Sequence, residues 1–96
     1  MDIMTQQNGD SLTISIKGFI DSSTAPNFEK SVLEACKTTK KLTLNFAEVD
    51  FVSSAGLRVL LIAKKTLSAV NGDLAIINAN DEVRELFDLT GFSDIL

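Results

Sequence analysis

Apolar and polar residues along this chain follow two rhythms, one of period two and one near 3.6. Leu12, Ile14 and Ile16 alternate with Thr13, Ser15 and Lys17, the mark of a strand with one face on a core. Ile3 to Gln7 precedes it, and the intervening Asn8-Gly9-Asp10 predicts a β-hairpin, because Asn-Gly supplies the positive φ angles of a tight turn. Gly18 to Asp21 reads as a turn, and Ser22, Ser23 and Thr24 offer three helix caps ahead of Pro26. From Ala25 to Thr38 the apolar positions Phe28, Val32, Ala35 and Cys36 fall on one stripe, opposite Glu29, Lys30, Glu34 and Lys37, so the segment is an amphipathic helix.

Alternation returns over Lys41 to Ala47, with Leu42, Leu44 and Phe46 on one face, and Glu48 to Val52 follows, Phe51 and Val52 being expected in the core. A second helix starts at Ser53 or Ser54. It runs through Leu57, Leu60, Leu61, Ala63, Leu67 and Val70 to a stop at Asn71-Gly72. Leu74 to Asn78 reads as a short strand of the buried kind. Asn80 or Asp81 caps a third helix carrying Val83, Leu86, Phe87 and Thr90, which ends at Gly91. No further element is expected in Phe92 to Leu96. The order is β-β-α-β-α-β-α, an α/β fold in which crossovers build a small, largely parallel or mixed sheet with helices packed against it.

With 96 residues the chain has room for one domain, expected to span residues 1–96. The net charge of −4 and the absence of a basic run disfavour nucleic acid and anionic membranes as partners. The single cysteine, Cys36, permits no intrachain disulfide and fits a reducing compartment. Met1 to Asp10 is polar and alternating, unlike a secretion leader, and Val59 to Ala63 is too short to span a bilayer. A cytoplasmic protein is expected, with no membrane insertion and nothing that demands more than a monomer when free.

Enzyme chemistry is sparse. There is no histidine, which removes catalytic triads and histidine metal sites, and one cysteine cannot build a cysteine-cluster metal site. Gly56 and Gly72 are isolated, so no phosphate-binding or dinucleotide loop is present. Glu48 with Asp50, and Asp81 with Glu82, read as solvated loop and cap charges. Neither a catalytic activity, a cofactor nor a metal is expected.

The densest signal is Asp50-Phe51-Val52-Ser53-Ser54-Ala55-Gly56-Leu57-Arg58: a strand exit, two hydroxyls and a helix start. Either serine can serve as the cap. A glycine in a helix costs up to about 1 kcal/mol against alanine, so either a neighbouring element or a partner approaches the backbone at Gly56. Ser53 to Arg58 resembles the phosphorylation loop of STAS-domain anti-sigma-factor antagonists, commonly Asp-Ser-Ser/Thr-Gly-Leu-Gly. Gly18-Phe19-Ile20-Asp21 with Thr24-Ala25 is similar to that family's Gly-Glu-Leu-Asp…Thr-Ala segment, and Val83 to Phe92 to its Val-x-x-Leu-Phe-x-x-(Ser/Thr)-Gly-(Leu/Phe).

The resemblance covers nearly the whole chain and implies a STAS fold. Aligned on Gly56-Leu57, it places the phosphoacceptor at Ser54, with Ser53 as second choice, and the partner contacts at Asp21, Ser53, Ala55, Gly56, Leu57 and Arg58. Ser53 stands where the family carries an aspartate, and the family's last strand and helix are absent or reduced to Phe92–Leu96. It further implies a partner that is an anti-sigma factor and serine kinase, a metal-dependent phosphatase that resets the serine, and transcription as the regulated output. For Asp21 a plain turn role stands beside a role in the acceptor loop. Arg58 can pair with a partner's acid or point to solvent. A STAS subunit of a membrane-transport or lipid-trafficking complex is the alternative, and a nucleotide-binding STAS domain a third.

Overall fold

The computed structural model describes residues 1–92. Its elements are β1 (Asp2–Asn8), β2 (Ser11–Ile20), α1 (Ala25–Thr38), β3 (Lys41–Val52), α2 (Ser54–Ser68), β4 (Asp73–Ile77) and α3 (Asp81–Thr90). This is the order read from the sequence. The four strands lie in chain order in one sheet; β1 and β2 are antiparallel, while β2–β3 and β3–β4 are parallel. The expectation that the family's last strand and helix are absent or reduced to Phe92–Leu96 falls, from position 93 onward, outside the described residues.

The core forms on one face of the sheet. Leu12, Ile14, Ile16, Leu42, Leu44 and Phe46 meet Phe28 and Val32 of α1, Leu60, Ala63 and Leu67 of α2, and Val83 and Phe87 of α3 in one buried cluster. A ring contact between Phe46 and Phe87, centroids 6.4 Å apart, docks α3 on β3, and Phe92 closes over Phe87 at 5.2 Å. Cys36 lies on the buried stripe of α1, where burial pushes its thiol above the ordinary value. A thiol held protonated is a poor nucleophile, so the residue is part of the packing.

Several local expectations are corrected. The hairpin forms as expected, but its loop is Gly9-Asp10 and not the whole of Asn8-Gly9-Asp10, because Asn8 still pairs with Ser11. Only Gly9 takes a positive φ, at +61°, the pattern of a two-residue loop with glycine in its first position. Gly18 to Ile20 is strand, not turn, and Ile20 is wholly buried. Helix α2 stops at Ser68, and Val70 is exposed beyond it, because Gly72 N–H closes back on Leu67 O at 2.7 Å. Among the described residues strand β4 is a sheet edge, and within it only Leu74 is buried. Its apolar run faces a core on one side only. Thr90, expected on the inner stripe of α3, is exposed.

Candidate functional site

Two parallel strand ends build the site. Beyond Ser15 the β2–β3 register slips twice, from Ser15↔Asn45 to Lys17↔Glu48 and from Gly18↔Val49 to Phe19↔Phe51. Each slip adds one residue to β3, as a bulge does. The buried positions of β3 therefore change from every second residue to Phe46, Val49 and Val52. This overturns the core placement of Phe51. The second slip turns it outward beside Phe19, leaving them 52% and 56% exposed, while Ile20 and Val52 pair one step later, both buried.

From Val52 the chain turns into α2. Ser53 N–H donates to Ile20 O at 2.8 Å, carrying the strand ladder one residue on. Ser53 Oγ then accepts from Gly56 N–H at 3.4 Å and acts as the cap. The two serines, interchangeable in the sequence, thus differ in place. Ser53 is half-buried as the cap, and Ser54 is exposed as the first helical residue. Ala55 and Leu57 are half-buried, and Arg58 is exposed one turn on. Arg58 shares a shallow groove with Ser22, Pro26 and Glu29 at the start of α1.

Gly56 faces inward. A Cβ there would stand 2.7 Å from Ile20 Cγ2 and 2.9 Å from Val52 Cγ1. The close approach read from the sequence is therefore made by the strand ends themselves, and Gly56 seats the start of α2 on them. Gly56→Ala is expected to cost about 1–3 kcal/mol through overpacking, read from urea denaturation. A gain in stability, as at an ordinary helical glycine, would contradict this packing.

Asp21 organises the neighbouring loop. Its Oδ1 accepts from Ser23 Oγ at 2.7 Å, Ser23 N–H at 2.9 Å and Thr24 N–H at 3.1 Å. Thr24 Oγ1 accepts from Asp21 N–H and donates to Phe19 O, both at 2.9 Å. Thr24 is the N-cap residue of α1, yet its side chain makes no cap bond. The carboxylate of Asp21 takes up the loop donors instead. The Ser23 hydroxyl, with the Thr24 and Ser23 amides, holds the Asp21 carboxyl below its ordinary 3.8. A depressed carboxyl pKa contributes stability that is present above 3.8 and lost as pH falls through the folded value. Wild type should therefore lose its advantage over Asp21→Asn on acidification below about pH 4. Thermal melts of the pair from neutral pH downward measure this, and a gap independent of pH would count against the loop geometry.

Among the described residues no three His, Cys, Asp or Glu side chains converge as metal ligands, and no helix is long and apolar enough to cross a membrane. A mixed four-stranded sheet with three helices, presenting an exposed serine at a helix start, defines a small α/β domain. The chain belongs to the STAS domain family, which it matches over residues 2–96. It is 32% identical to an anti-sigma-B factor antagonist of Listeria monocytogenes over 93 residues, 95% of this chain and 81% of that one. In fold it is similar to an anti-sigma factor antagonist from Mycobacterium paratuberculosis, with a TM-score of 0.87 at 22% identity, covering 97% and 80% of the two chains. The phosphorylated form of the Bacillus cell fate determinant SpoIIAA is similar at TM-score 0.79 and 19% identity, covering 97% and 86%.

Proposed function

We propose that this protein is an anti-sigma-factor antagonist whose binding is switched by phosphorylation of Ser54. The observation that carries the reading is the division of labour between the serines: Ser53 Oγ caps α2 while Ser54 stands exposed at its first position. An acceptor must reach a kinase without dismantling the helix start, and Ser54 meets that requirement better than Ser53. The chain's likeness to an anti-sigma-B factor antagonist and, in fold, to the phosphorylated form of SpoIIAA supports the same reading.

The partner is an anti-sigma factor that is also a serine kinase. In the transfer, Ser54 Oγ attacks the γ-phosphorus of ATP, ADP leaves, and the hydroxyl proton passes to a base on the kinase. Hydrolysis by a metal-dependent phosphatase restores the hydroxyl. The phosphate adds about −1.5 to −2 charges. At the N-terminus of α2 the helix dipole favours such a charge by about 0.3–1 kcal/mol. Arg58, four residues on from Ser54, occupies the adjacent helical position for pairing with it. The modified domain therefore stays folded. Against a docked partner the same charge must be desolvated, and a like-charge juxtaposition there costs several kcal/mol. Release therefore dominates. Asp21, Ser53, Ala55, Leu57 and Arg58 frame the contact, with Asp21 and Gly56 acting through the shape of the two loops.

Mixing the protein with the serine-kinase anti-sigma factors of its own genome tests this. A complex should form with ADP and dissociate after ATP is added. Failure to bind any of them, or a complex indifferent to ATP, would overturn the reading.

A further inference from the structure

One cleft lies apart from the framing residues of Ser54. It sits between the end of β3 and the first turns of α3, holds about 220 Å³ and is lined by Asp50, Phe51, Val52, Glu82, Val83 and Leu86. Its position is fixed by Asn80, whose Oδ1 accepts from Val83 N–H at 2.8 Å while its Nδ2 donates to Val49 O at 3.1 Å. Both halves of one amide thus hold the start of α3 against β3.

Single exposed apolar residues are ordinary. Here Phe51 forms a cleft wall with Val83 and Leu86, and Phe19, directly across the strand pair, extends the apolar surface. Aromatic side chains in such a setting are the usual anchors of protein interfaces. Among the described residues that line it, the charges are of one sign. Asp50 and Glu82 are exposed, and Lys17, which faces this end of β3, pairs with Glu48 and not with either of them. Acids around a low-dielectric pocket focus a negative potential, which selects a cationic occupant. Phe51 lies three residues before Ser54, so a partner covering the start of α2 can reach both.

We propose that this cleft is a second contact for the same anti-sigma factor, receiving a segment in which a lysine or arginine is flanked by apolar side chains. The assignment rests on the function proposed above and adds a determinant of partner choice that is independent of the phosphate.

Calorimetric titration of the unphosphorylated protein against its serine-kinase anti-sigma factor tests it, with the doubly reversed variant D50K/E82K and with F51S. All three positions are exposed, and thermal melts confirm that the variants fold. Each variant should bind at least about tenfold more weakly, and D50K/E82K should also lose much of the salt dependence of the wild type. Wild-type affinity in both variants would overturn the cleft assignment and leave the Ser54 reading standing. Absence of binding by the wild type itself would overturn both. Sedimentation of the free protein covers the remaining occupant: a wild-type dimer that F51S converts to monomer would give the cleft to a second copy and contradict the proposal.

Discussion

Ser54→Asp is expected to weaken the complex with the anti-sigma factor by about ten- to a hundredfold, and stoichiometric phosphorylation by about a hundred- to a thousandfold. Ser54→Ala should bind within a few-fold of wild type. The ranking follows from charge. Aspartate brings one negative charge on a short side chain, whereas a phosphate brings about −1.5 to −2. Each 1.4 kcal/mol of uncompensated desolvation is about tenfold in affinity. Folding stability should move the other way or not at all, because an anion at the first position of α2 lies on the favourable end of the helix dipole. Titration calorimetry and thermal melts on the same samples separate the two effects. Equal affinities for Ser54→Asp and Ser54→Ala would remove charge as the cause of release. A large loss of stability in Ser54→Asp would mean that the helix start, and not the interface, is what the charge disturbs.

Phe46→Ala should produce the largest loss of stability. The side chain is wholly buried, and its ring contact with Phe87 ties α3 to the sheet. Truncating a buried phenylalanine costs about 3–5 kcal/mol, against a total of about 5–15 kcal/mol for a domain. At about 4–8 °C per kcal/mol for a chain of this size, the melting temperature should fall by at least about 12 °C. A fall of only a few degrees would show that α3 is held by other contacts. Phe92, whose ring is tilted against Phe87, would be loosened by the same change.

The order of elements was legible because each half-buried strand alternates and each helix carries a narrow apolar stripe. Leu12-Ile14-Ile16 and Phe28-Val32-Ala35-Cys36 point to one core without any tertiary information, and the buried set bears this out. Phe51 was misread for a definite reason. Period-two reasoning assumes an unbroken register, and the two slips between β2 and β3 belong to the pairing of strands, not to either strand alone. The burial of strand β4 is hidden for a similar reason, since an apolar run does not reveal that, among the described residues, the strand lies at the sheet edge with only Leu74 buried.

At the site, the residues supply the hydroxyl pair and the glycine, and the family resemblance selects Ser54 over Ser53, but as helix caps the two serines read as equivalent. Only the ladder bond from Ser53 N–H to Ile20 O and the cap on Gly56 N–H give them different places. The loop role of Asp21 stands unresolved in the sequence, because its partners Ser23 and Thr24 lie in a loop with no repeating pattern. The cleft beside Phe51 is further still from the sequence. It exists because Asn80 brings α3 to Val49, 31 residues away.

The central claim is that Ser54, and not Ser53, carries the phosphate that releases the partner. Its most direct test is mass-spectrometric mapping of the protein after incubation with its serine-kinase anti-sigma factor and ATP. The account predicts a single phosphate on Ser54, appearing as the complex dissociates. Phosphate on Ser53, or dissociation with both serines unmodified, would contradict it.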